Sequence, residues 1–193
     1  GKISSKLSDS AKILYAIYFA LTVIETILLC AGGMPLFDAL IHAFGTAGTG
    51  GFSNKALSVG AYNSPYFEIV IGVFMLLFGI NFNLYYFLLI GKVGEALKSE
   101  ELRWYLGVIA FAVITIAFDI RDLYGGVGHA LRYSFFQVTS VISTTGFATA
   151  DFNLWPEYSK FLLVLLMFVG GCAGSTAGGL KLSRVMLLFK SCT

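Results

Sequence analysis

The sequence predicts an all-α integral membrane protein. It is built as two tandem repeats of helix, short pore half-helix, filter-like loop and helix, and the last helix of the second repeat is broken. Three observations predict this. Hydrophobic residues make up 57% of the 193 and charged residues only 12%, where a soluble domain carries about 25% charged, so the bilayer is the expected solvent. A short motif occurs twice, as Thr49-Gly50-Gly51-Phe52 and Thr144-Thr145-Gly146-Phe147, with Gly51 and Gly146 95 positions apart. Each copy follows an apolar segment too short to cross a membrane and precedes a longer one.

Residues 1–12 are polar and basic, with Lys2, Lys6 and Lys12, and read as a cytoplasmic lead-in. Ser8 or Asp9 is placed to cap the helix that follows. Residues 13–31 are uncharged except for Glu25; at 1.5 Å per residue they cover about 28 Å, enough to span. Gly32-Gly33 and Pro35 stop that helix. Residues 36–47 are apolar, with Asp38 and His42 four apart on one face. Their helix is roughly 18 Å long and cannot cross. It runs into Gly48-Thr49-Gly50-Gly51-Phe52-Ser53, the pattern of a helix that enters halfway and returns as extended chain. Such backbone is tolerated only when it is buried in protein or lines water.

Residues 54–65 are polar and end in Pro65. Residues 66–91 read as a second long apolar helix, interrupted by Glu68, Asn81 and Asn83, and residues 92–103 as a charged loop. The scheme then repeats. Residues 104–118, extended through Ile120, are long enough to span with their flanks, and Asp119-Ile120-Arg121-Asp122 with Gly125-Gly126 ends them. Residues 127–142 form the second short helix, followed by Ser143-Thr144-Thr145-Gly146-Phe147. A polar loop runs through Asp151 to Pro156, and the last apolar segment begins near Tyr158. The repeats therefore occupy residues 13–94 and 95–193. His42 falls on Gln137 and Phe44 on Thr139; the final helices align on Pro65 and Pro156, which places Gly79 over Gly170.

Nine of the thirteen basic residues fall on one side (Lys2, Lys6, Lys12, Lys92, Lys98, Arg103, Lys181, Arg184 and Lys190), which marks that side as cytoplasmic. Lys55, Arg121, Arg132 and Lys160 lie with the loops' outer mouths. The net charge of +2 is too small to suggest nucleic acid as a partner, and no basic run interleaves with aromatics. Three cysteines without metal-like spacing and two histidines argue against a zinc site. No cleavable signal sequence is visible, and both ends read as cut rather than natural.

Hydroxyl residues beside glycine in a membrane chain are the materials of an ion filter: carbonyl oxygens replace the hydration shell of a cation. Gly51 and Gly146 supply φ values that side chains resist, and the half-helices end toward the loops, so their negative dipole ends favour a cation. The competing reading is ordinary loops or close helix contacts; two matching copies favour the filter. The stretch GGCAGSTAGGLK at 170–181 holds five glycines in ten residues, at about 1 kcal/mol each in a helix. Gly170, Gly171, Gly174, Ser175, Thr176, Gly178 and Gly179 are read as a flexible break that gates the pore, against a small-residue packing surface. A phosphate loop fails because Leu180 separates Gly179 from Lys181. Asn81 and Asn83 either bond between helices or line the pore. Glu25 reads as a paired intramembrane carboxylate. Asp38, Asp151 and Glu157 are solvated charge or cation collectors at the mouth, and His42 and Gln137 brace the half-helices. No nucleophile–base pair or carboxylate dyad stands out, so no enzyme and no cofactor are expected.

The segment GGCAGSTAGGLKLSR, 170–184, resembles the gating-loop signature of the Trk/Ktr potassium-transporter family, TrkH type. Ser143-Thr144-Thr145-Gly146-Phe147 with Thr149-Ala150-Asp151 resembles that family's third filter, and Gly50-Gly51-Phe52-Ser53 its second. The resemblance covers essentially the whole chain. It implies a fold of four repeats around one pore, of which the second and third are here and the first and fourth, with the inner-helix arginine of the fourth, are missing. It places filter carbonyls at Thr49, Gly50, Gly51, Phe52, Thr144, Thr145, Gly146 and Phe147, with potassium as the transported ion. It also implies the bacterial inner membrane, homodimerisation and a cytosolic nucleotide-binding regulatory subunit. The expected function is potassium uptake through the carbonyl filter, by a symporter or channel. The rivals are a non-conducting scaffold, a short protein that pairs to complete the pore, and an enzyme with a phosphate loop.

Overall fold

The computed structural model describes residues 2–192, with side chains from residue 8 onward. Among them all regular structure is helical. The first helix, α1, runs Lys2–Ala31. The capping expected of Ser8 or Asp9 is corrected by this: helix continues back through both, and they sit inside it. Lysine is a good helix former, and nothing in 2–12 breaks a helix. Gly1 and the side chains of Lys2 and Lys6 lie outside the described residues.

The short helix α2, Leu36–Ala47, has the expected bounds: Pro35 precedes it, where a missing N–H costs nothing, and Gly48 closes it. A 3-10 turn, Ser58–Tyr62, lies in the connection from α2 to the next helix. The next apolar run is not one helix. It is α3, Pro65–Phe78, and α4, Phe82–Leu89, bent by 92° at the break between them. The Asn81 side chain accepts from the Asn83 N–H and caps the restart. A short helix α5, Val93–Leu97, sits inside the charged connection.

The second repeat opens with α6, Glu100–Ile120, whose N-cap Ser99 accepts from the Leu102 N–H. It continues with α7, Val127–Ile142, whose bounds also match expectation. The last apolar run is α8, Glu157–Val169. Irregular chain follows from 170 to 181, and α9, Leu182–Ser191, ends the described chain. The sequence-level break of this helix is therefore real. By length and composition, two described helices can cross a membrane, the 8–31 part of α1 and α6, or three if the bent α3–α4 pair is one span.

Each half-helix is enclosed by the longer helices of its repeat. α6 packs on α7, and α7 on α8 and α3; α1 packs on α2. One face of α6, Tyr105, Ile109, Ala112 and Ile116, is fully or almost fully buried against Val138 and Ile142 of α7. The repeats are joined through a second cluster, in which Leu29 of α1 and Ile71 and Met75 of α3 meet Phe136 and Phe147 from the other repeat. At the α3–α7 crossing Gly72 lets the Phe135 ring approach: a Cβ there would lie 2.6 Å from it. Small residues at such crossings suit a solvent in which packing, not water exclusion, drives association.

Candidate functional site

The two glycine loops leave the C-terminal ends of α2 and α7, and they are folded alike bond for bond. Thr49 N–H donates to Thr46 O (3.2 Å), and Thr144 N–H to Val141 O (3.1 Å). Gly50 and Gly51 N–H groups both donate to Gly45 O, at 2.9 and 3.3 Å; Thr145 and Gly146 do the same to Ser140 O, at 3.0 and 3.3 Å. The handedness matches too. Thr49 and Thr144 have φ of 52° and 60°, Gly51 and Gly146 of 68° and 89°, while the residue between is not left-handed in either loop. A threonine at positive φ is an outlier that the surroundings must hold in place. Alternating handedness turns successive peptide units the same way, not to opposite sides as in a strand.

These loops spend their N–H groups backwards on the helix ends and leave their carbonyls uncommitted. Among the described residues, no hydrogen bond is donated to the carbonyls of Thr49, Gly50, Gly51, Phe52, Thr144, Thr145 or Gly146. The eighth, Phe147 O, accepts from Ser140 Oγ at 2.6 Å. The loops also abut. A Cβ on Gly51 would lie 2.0 Å from Thr145 O, so the two backbones touch there. A row of uncommitted carbonyls at the negative ends of two helices is a cation-binding chemistry.

His42 braces this pair. Its Nδ1 lies 2.7 Å from Asp38 O, which only accepts, so Nδ1 carries the proton and Nε2 accepts from Ser53 Oγ at 2.9 Å. The ring stacks on Phe147, centroids 5.5 Å apart, and so touches both loops. Its counterpart Gln137 is buried, with no partner on Oε1.

The charges expected at the outer mouths are less free than their sequence suggests. Asp38 accepts from Asn54 (2.5 Å) and Tyr62 (2.9 Å), with Lys55 Nζ at 3.7 Å. Burial, helped by that carboxylate, pushes the Tyr62 phenol up to about 12, so it stays a donor. Asp151 caps a 3-10 turn through Asn153 (3.0 Å), and Glu157 pairs with Lys160 (2.7 Å). Arg121 lies 3.8 Å from Asp122. Arg132 pairs with buried Glu68 across α7 and α3. Glu25, expected to be paired, has both oxygens buried without a hydrogen-bond partner; its neighbour Thr46 donates instead to His42 O, 2.7 Å.

The glycine-rich segment lies against both loops and against the α3–α4 break. Thr49 Oγ1 donates to Thr176 O (3.3 Å), and Gly178 N–H donates to Thr144 Oγ1 (2.7 Å). Thr176 N–H and Oγ1 both reach Phe78 O, at 3.3 and 3.2 Å, and Cys172 N–H reaches Gly79 O, 2.9 Å. In return Phe82 N–H donates to Gly174 O, 3.1 Å, and Asn81 leaves no room for a Cβ on Gly174. Gly170, Gly174 and Gly179 have φ of 71°, 69° and 86°. Gly171 packs against Ala177, whose Cβ a Gly171 Cβ would meet at 2.5 Å, and Ser175 Oγ closes a turn on Cys172 O, 2.6 Å. The α3–α4 break itself was missed in sequence; its one signal was Gly79 aligning with Gly170, since both close a helix.

This architecture of paired re-entrant loops between long helices defines a K+-channel-like membrane protein. The chain belongs to the TrkH family, described as cation transport protein, whose profile matches residues 1–120 and 104–193. It is 39% identical over 98% of its length to the Trk system potassium uptake protein TrkH of Salmonella typhimurium and 38% to that of Escherichia coli K12. It is 35% identical to Escherichia coli TrkG. Among solved structures, the crystal structure of the potassium transporter TrkH from Vibrio parahaemolyticus superposes with a TM-score of 0.88 at 32% identity, over 95% of this chain and 40% of that one. The chain spans about 40% of the length of these relatives.

Proposed function

We propose that the chain forms two repeats of a potassium-conducting pore, residues 13–94 and 95–193, the second and third of four. Dehydrated potassium passes the carbonyls of Thr49, Gly50, Gly51, Phe52, Thr144, Thr145, Gly146 and Phe147, and no covalent chemistry is involved. The observation that carries this is the seven uncommitted loop carbonyls, held by the same bonds and handedness in both repeats. The names of the relatives support potassium as the ion and a transporter, not an enzyme. The segment 170–179 gates the path, supported by its bonds to Thr49 and Thr144. The wider reading puts the protein in the bacterial inner membrane as a homodimer, with the missing repeats beside it and a nucleotide-sensing cytosolic ring beneath.

Rubidium and sodium uptake into liposomes carrying the intact protein tests it. Wild type is expected to take up rubidium, and Gly146→Ser, with its side chain at φ 89°, to lower the preference over sodium. An unaltered preference removes the filter assignment, and no uptake by wild type leaves the scaffold reading. Deleting part of 170–179 is expected to raise uptake; a fall with the fold intact removes the gate.

A further inference from the structure

We propose that Glu101 is a positioning residue for the segment 170–179, a reading that rests on the gate assignment above. The segment is held by few bonds, and most of their acceptors are neutral: Gly79 O, Phe78 O and Thr144 Oγ1. The exception is the Glu101 carboxylate, whose Oε1 accepts from the Ala173 N–H at 2.7 Å. A charged acceptor makes the shorter and stronger bond.

Glu101 stands in the first turn of α6. One turn on, on the same face, is Tyr105, fully buried, whose hydroxyl donates to Leu76 O in the last turn of α3 at 3.0 Å. That hydroxyl fills the space a Cβ on Gly79 would need, 2.2 Å away. One face of one helix thus holds both broken helices at their breaks. Glu100, beside Glu101, reaches Lys190 near the end of α9 at 2.8 Å, so the same turn also contacts the helix that follows the segment. Among the described residues, no bond joins Glu101 to either glycine loop. The carboxylate therefore sets how often the segment stands aside, not which ion the loops accept, and a shift of the α6 end is carried to Ala173.

Hydrogen–deuterium exchange on the intact protein reads the contact without any transport. E101A is expected to speed exchange within 170–179 about tenfold, the effect of losing a hydrogen bond to a charged group, with the two glycine loops unaltered. E101Q keeps an oxygen acceptor without the charge and is expected to fall between wild type and E101A. E101M, which keeps the stem, replaces E101A should the alanine variant not fold. Single-channel recording of the same variants is expected to show a raised open fraction in E101A with wild-type conductance and ion preference. Unchanged exchange in 170–179 overturns the clamp whatever the transport shows. Faster exchange without a change in open fraction overturns the gating role alone. Absence of potassium current in wild type overturns the pore reading instead.

Discussion

Gly51 and Gly146 occupy equivalent places, and their surroundings differ. Both have positive φ, which costs an L side chain about 1–2 kcal/mol. Around Gly146 a Cβ meets open space; at Gly51 it would lie 2.0 Å from Thr145 O, which is backbone and cannot swing away. Gly146→Ala is therefore expected to cost about 1–2 kcal/mol of conformational strain alone, and Gly51→Ala that strain plus separation of the two loops. Thermal melts of the intact protein in detergent, with rubidium-over-sodium uptake alongside, compare them. Equal losses would mean that the contact between the loops does not matter. The pair of glycines was legible from the repeat; their inequality was not, because it depends on which backbone arrives from 94 positions away, that of Thr145. The same holds for His42, whose spacing from Asp38 showed a shared face but not that its ring bridges Ser53 and Phe147.

At the scale of elements, α3 and α7 are locked by the Glu68–Arg132 pair, in which the carboxylate side chain is 3% exposed and the guanidinium 18%. Removing one partner strands a buried charge. Arg132→Met is expected to destabilise by about 3–5 kcal/mol, whereas Glu68→Met with Arg132→Met together are expected to lie far closer to wild type. Thermal melts of the single and double variants decide; additive losses would show a pair held apart by water. The sequence reading placed both residues but did not join them, as 64 positions separate them and each has nearer candidate neighbours. Element bounds were legible where punctuation is local: Pro35 and Gly48 around α2, Gly126 before α7. The α3–α4 break was hidden because hydropathy runs on through it. What breaks the helix is tertiary: Phe78 O and Gly79 O are taken by Thr176 and Cys172 of the distant segment. The extension of α1 to Lys2 was missed for the opposite reason, since Ser8 or Asp9 was read as a cap where nothing interrupts a helix.

Across the whole molecule, one asymmetry shows how the repeats follow one another. Phe147, after the second loop, is fully buried on His42 and Gly45 of the first repeat; a Cβ on Gly45 would lie 2.9 Å from its ring. Phe52, its twin after the first loop, is 78% exposed. In a ring of similar repeats each loop's phenylalanine packs behind the half-helix of the repeat before it, as Phe147 does. If the proposed ring of four repeats holds, the half-helix behind Phe52 is one that residues 2–192 do not supply. This accounts for an aromatic side chain left in the open beside a loop whose N–H bonds back to the helix end match those of its twin, and it agrees with a chain that spans about 40% of its relatives. If the ring is closed in the intact assembly, Phe52→Ala is expected to destabilise it by about 3–5 kcal/mol, the cost of emptying a packed aromatic site, and as much as Phe147→Ala. Were the position exposed there too, the change would stay within about 0.5 kcal/mol. Melting of both variants in the intact assembly separates these outcomes. A neutral Phe52→Ala beside a costly Phe147→Ala would rule out a closed ring.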